Sequence, residues 1–145
     1  MPTILVLCAS VLLIFAASLS IPAIAALGEG DWRALEACLL VATACGFGAA
    51  GLFLSMRPRV RPLNRAGVFA AAIALWLTFV AAATPVFMLV EGQGPAQAVF
   101  EAASAATTLG ITLYPADGIS GAMAFYRGTT AWLGGLLTLL LAVYV

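Results

Sequence analysis

The residues that invite a chemical reading run from Phe100 to Thr112: Phe-Glu-Ala-Ala-Ser-Ala-Ala-Thr-Thr-Leu-Gly-Ile-Thr. The stretch starts as a helix of small apolar residues and breaks into threonines around a glycine. Pro95 suits a first helical position, and Thr107-Thr108 with Gly110 close the pattern, so the spacing predicts a short helix over Pro95–Ala106 and a loop after it. Gly110 admits a positive φ without a Cβ clash, which lets successive carbonyls turn to one side. The C-terminal end of a helix carries about half a negative charge. Carbonyl oxygens gathered there can replace a cation's hydration shell. The chemistry this predicts is coordination of a monovalent metal ion by the backbone of Ala106, Thr107, Thr108, Leu109 and Gly110. The plainer expectation for the same residues is a helix-terminating turn.

Three side chains are candidates to support such a loop. Glu101 accepts bonds from loop amides or pairs with Arg127, or else lies exposed near the outer surface; a carboxylate at membrane depth is costly unless paired or wetted. Ser104 is expected to hydrogen-bond within its own helical turn. Arg127 either holds the loop or extends to the lipid headgroups.

The elements that must position these residues are apolar. Of 145 residues, 64% are hydrophobic and 8% charged, and the mean hydropathy is +1.14, against about 45–50% apolar and about 25% charged in soluble domains. This predicts an integral membrane protein. Net charge is zero, so nucleic acid is not an expected partner. Histidine is absent, and Cys8, Cys38 and Cys45 sit in apolar runs without metal-ligand or redox spacing. There is no nucleophile–base pair and no Gly-rich phosphate loop, so neither an enzyme nor a bound cofactor is expected.

Apolar runs over Thr3–Leu27, Ala34–Met56 and Ala66–Val90 each match the roughly 20 residues a spanning helix needs. The first run is too long for the roughly 7–15-residue core of a cleaved leader, and no basic residue precedes it. Asp31 is placed to cap the second helix, and Pro85 to kink or loosen the third. A last apolar run, Thr129–Val145, ends as though cut before reaching the far side. All six Lys+Arg are arginines, and Arg57, Arg59, Arg61 and Arg65 crowd one loop. Basic loops stay cytoplasmic, which puts the N-terminus inside and residues 91–128 outside. The acids Glu29, Asp31, Glu36, Glu91, Glu101 and Asp117 then fall on or near the outer side, where they would attract cations. The helix over Pro95–Ala106 rises about 18 Å, short of the roughly 30 Å hydrocarbon core, so it is expected to enter and return. Irregular backbone at that depth must be buried in protein or line a water-filled cavity. The predicted fold is an all-α membrane protein with four transmembrane helices, one re-entrant pore helix and a filter loop.

Phe100-Glu101 followed by Ala102-Ala103-Ser104-Ala105-Ala106-Thr107-Thr108-Leu109-Gly110, with Arg127 ahead of Trp132-Leu133-Gly134-Gly135 and Arg65-Ala66-Gly67, Trp76 and Pro85 upstream, resembles the membrane subunit of the Trk/Ktr/HKT potassium-uptake family. The resemblance covers nearly the whole chain. It implies an auxiliary two-helix hairpin over residues 1–56, a basic cytoplasmic loop over 57–65, and the first span–pore helix–span repeat over 66–145. It further implies potassium as the substrate, held at Thr107, Thr108 and Gly110 in one quarter of a filter, in the cell inner membrane. The implied partners are membrane lipid, the remaining pore repeats or further copies of the chain, a second membrane subunit forming a dimer, and a cytoplasmic nucleotide-binding regulator. The chain departs from the family pattern in carrying one repeat where four surround the axis, and Leu109 where a small or β-branched residue is usual. A non-conducting membrane adaptor is the alternative reading of a chain with one repeat.

Overall fold

The computed structural model describes residues 2–56, 60–113 and 118–144; Arg57, Arg59 and Asp117 of the sequence reading lie outside them. The described residues form helices and connecting turns, with no strand: α1 Pro2–Ser18, α2 Ser20–Glu29, α3 Trp32–Met56, α4 Arg65–Glu91, α5 Pro95–Ala106 and α6 Gly121–Tyr144. Three helical segments are long and apolar enough to cross a membrane: Pro2–Glu29, which joins α1 and α2, Trp32–Met56 and Arg65–Glu91. The chain is a membrane protein on that footing.

Local chemistry sets the boundaries. The interruption at Leu19 falls three residues before Pro22, which has no N–H to give the Ser18 carbonyl and whose ring crowds it. Beside it, the Ser18 and Ser20 hydroxyls donate to the carbonyls of Phe15 and Ala17, both at 2.7 Å. Gly30 closes α2 in the left-handed region, φ 73°. Asp31 Oδ1 accepts from the Ala34 amide at 3.0 Å and opens α3. Asn64 does the same for α4, accepting from the Gly67 amide at 2.8 Å. Helix α4 continues through Pro85 and ends at Gly92, φ 66°. Helix α6 begins at Gly121, eight residues ahead of the apolar run that marked it in sequence. Arg127 and Gly128 interrupt the apolar run there, and Thr129 and Thr130 turn their hydroxyls onto carbonyls of Phe125 and Tyr126 in their own helix.

Two ends of the bundle can be told apart. At one, Thr3 Oγ1 donates to the Arg61 carbonyl at 2.6 Å and accepts from the Arg61 amide at 3.0 Å. At the other, Arg33 Nε donates to the Leu89 carbonyl at 2.7 Å, and Glu29 accepts from the Ala122 amide at 3.3 Å. Between them lies an aromatic core. Phe15 meets Phe79 edge-on at 5.6 Å between centroids, and Tyr126 meets Phe15 at 6.5 Å and Phe87 at 5.2 Å. The Tyr126 hydroxyl donates to the Ala83 carbonyl at 2.6 Å, a necessary partner for a polar tip this deep. This cluster locks α1, α4 and α6 together.

Removing only the hydroxyl, Tyr126→Phe, is expected to cost about 0.6 kcal/mol, the usual worth of a hydrogen bond inside a membrane protein. Phe15→Ala, which empties the cluster's centre, is expected to cost about 3–5 kcal/mol. Unfolding midpoints in mixed detergent micelles would check both values, and equal losses would contradict the assignment of Phe15 as the packing centre.

Candidate functional site

Helix α5 is defined by Pro95 at its start and by a Schellman arrangement at its end. The Thr108 amide donates to the Ala105 carbonyl and the Leu109 amide to the Ser104 carbonyl, each at 3.0 Å; these are the paired bonds that satisfy a helix's last acceptors. The left-handed residue in this motif is Thr108, φ 59°. That position usually takes glycine, and a β-branched residue there is strained, at about 1–3 kcal/mol. Gly110, φ 72°, is the second left-handed residue. Thr107 caps its own helix, its hydroxyl donating to the Ala103 carbonyl at 2.7 Å.

The tight Gly92-Gln93-Gly94 turn folds α5 back along α4, and α5 also packs on α6. The closest approach is at Ala106, where a Cβ on Gly134 would overlap the Ala106 carbonyl. Gly134 lies about 20 Å along α6 at 1.5 Å per residue. The loop after Ala106 therefore starts deep in the helical stack, and it climbs back to Glu101, one and a half turns before the end of α5.

Glu101 governs that return. Its side chain is fully buried. Oε1 accepts from the Leu113 amide at 2.6 Å and the Thr112 hydroxyl at 3.0 Å, and Oε2 accepts from Arg127 Nη1. Arg127 Nη2 reaches Glu91 Oε1 at 2.9 Å, and the guanidinium stands 4.9 Å above the Phe87 ring centroid, a favourable cation–π arrangement. Gln93 Nε2 donates to Glu91 Oε2 at 2.6 Å. One guanidinium thus joins the end of α4, the middle of α5, the loop and α6. The cluster holds two carboxylates against one cation.

The sequence-predicted residues divide as follows. Thr107, Thr108, Leu109 and Gly110 are exposed at the loop surface, and among the described residues nothing donates a hydrogen bond to their carbonyls. Ala106 does not share that surface. It is fully buried with its carbonyl against Gly134, because α6 has no side chain there to hold the helices apart. Ser104 does not bond within its own turn as expected: its hydroxyl crosses to the Ile111 carbonyl, since its own carbonyl already serves the Leu109 amide and the turn brings Ile111 overhead. Glu101 bonds the loop and pairs with Arg127 at once. Trp132 is exposed, beside Thr107, Thr108 and Gly135 on an open groove of 660 Å³. Sequence reasoning missed Glu91 as a partner of Arg127; its position next to the Gly92-Gln93-Gly94 turn was the available signal. Compared with protein families, curated proteins and solved structures, the chain matches none.

Arg127→Gln leaves a fully buried carboxylate without its cation and is expected to cost about 3–5 kcal/mol. Glu101→Gln combined with Arg127→Gln removes both charges and should cost less than the single arginine change. A double-mutant cycle on detergent unfolding midpoints measures the coupling, and additive losses would contradict it.

Proposed function

We propose that the chain supplies one quarter of a potassium-selective filter in a multi-pass protein of the cell inner membrane. The observation that carries the reading is the row of four carbonyls, Thr107 to Gly110, to which nothing among the described residues donates, at the exposed end of a short helix. Peptide carbonyls not used within the fold can accept an outside partner, and a ring of them is what coordinates a dehydrated cation. The C-terminal end of α5 adds its partial negative charge at the same place. On this reading Thr107, Thr108 and Gly110 hold K⁺ through the backbone, and Leu109 presents its carbonyl between them. Ala106, packed against α6, takes no part. Glu101, Ser104 and Arg127 hold the loop's shape.

In this proposal α5 is a re-entrant pore helix and α6, 24 residues long, is the fourth span. The arginine-bearing end, with the N-terminus, faces the cytoplasm, following the bias of basic loops toward that side. Three further quarters come from other pore repeats or from further copies of the chain. By the resemblance to the Trk/Ktr/HKT family, the assembly pairs two membrane subunits on a cytoplasmic nucleotide-binding regulator. The exposed loop fits a site completed by neighbours better than the adaptor reading does, because an adaptor has no use for four exposed carbonyls without a donor among the described residues and a strained Thr108.

A strain that cannot take up potassium tests this. Expressed there in its native assembly, the protein is expected to restore growth at low external potassium, and Gly110→Asp is expected to abolish it by placing a side chain and a charge on the left-handed residue. Failure of the membrane-inserted parent to restore growth or rubidium uptake would favour the adaptor.

A further inference from the structure

The end of the bundle away from the candidate filter carries positive charge with nothing opposite it. Arg61 and Arg65 are exposed, and among the described residues neither forms an ion pair. In the sequence, residues 2–28, 37–90 and 118–145 contain no Asp or Glu. Thr3 clamps the Arg61 backbone to the start of α1, so this arginine stems from the foot of that helix.

Directly along α1 from this foot is an apolar crevice of 130 Å³. Val11, Ile14 and Phe15 of α1 form one wall, Leu137 and Leu140 of α6 the other, and Phe79 of α4 the floor. Val11 stands about 12 Å above Thr3, and Phe15 about 18 Å, at 1.5 Å per residue. Half of a roughly 30 Å hydrocarbon core is about 15 Å. The crevice therefore lies about 12–18 Å from the arginine-bearing foot, at the depth that the end of an acyl chain from that leaflet reaches. Its wall has almost no polar atom, and apolar cavities of about 150 Å³ stay dry and take apolar guests.

We infer that this face holds one anionic phospholipid, its phosphate against Arg61 and Arg65 and one acyl chain in the crevice between α1 and α6. Water cannot fill the crevice, and a zwitterionic lipid would bring its own cation to the arginines. The inference rests on α1, α4, α6 and the segment from Arg61 to Arg65, and on none of the filter residues. Failure of the transport reading leaves it standing, and the converse holds too; the leaflet it faces follows from the orientation proposed above.

The test is native mass spectrometry of the purified full chain released from mixed nanodiscs of dioleoyl phosphatidylglycerol and dioleoyl phosphatidylcholine. Preferential retention of one phosphatidylglycerol is expected. A basic residue at an anionic surface is worth about 1 kcal/mol, or about fivefold in retention. Arg61→Gln with Arg65→Gln should then lower the preference about 25-fold, while Arg61→Lys with Arg65→Lys should keep most of it. Val11→Trp, which fills the crevice and spares the arginines, should lower retention of dioleoyl lipid and leave binding of dihexanoyl phosphatidylglycerol unchanged. Equal retention of the two headgroups, a preference unmoved by the glutamines, or displacement of the dioleoyl lipid by glycerol phosphate would overturn the inference. So would a second protein chain held at this face in place of lipid.

Discussion

The Glu101 carboxylate cannot stand alone where it is. Fully buried on a helix of alanines, it must find a cation and donors or the fold around it fails, because an isolated buried charge costs many times what any neighbouring apolar contact returns. Arg127 and the amide of Leu113 meet that demand. Those bonds draw three separate segments to one point. α6 is brought in by its arginine, the loop by its Leu113 amide and Thr112 hydroxyl, and the end of α4 by Glu91, which takes the other arm of the guanidinium. The angle at which α5 lies, and therefore where its C-terminus aims, follows from the cluster.

Gly134 is the complement of that constraint at the other end of α5. The ion cluster pins the helix at its middle, and the missing side chain on α6 lets its last residue sink against the neighbouring backbone. Two fixed points determine a short rod. The loop beyond inherits its starting position from Ala106 and its return position from Glu101, so the five residues between Ala106 and Thr112 need few bonds of their own. Ser104 contributes two of these, through its carbonyl to Leu109 and its hydroxyl to Ile111.

Much of this was legible in the sequence where the signal is local. Pro95 and the Thr-Thr-Leu-Gly break give α5 its observed ends, Asp31 opens α3, and the three long apolar runs fall on the helices that can span. Longer-range or competing signals were not readable. The start of α6 was placed late because Arg127 and Gly128 interrupt the apolar run, although Arg127 pairs with Glu91 and Glu101 inside the fold. Thr108 gave no hint of a left-handed backbone, since the motif that needs one normally advertises it with glycine; tertiary constraint holds the strained residue instead. Ala106 was grouped with its neighbours because the sequence does not show that a glycine 28 positions later lies against it. Glu91 looked like one more acid at the outer surface, and only the folding-back of α5 brings it to the same guanidinium as Glu101.

The fastening of the loop by a carboxylate has one more consequence. The clasp from Glu101 to Thr112 and Leu113 is made with a side chain and with amide and hydroxyl hydrogens. The clasp takes none of the peptide oxygens from Thr107 to Gly110, while that of Ile111 accepts from Ser104. Shape and reactivity are therefore separately encoded: the acid sets the contour, while the rim from Thr107 to Gly110 can change its residues, and with them its affinity, without undoing the buckle that holds it.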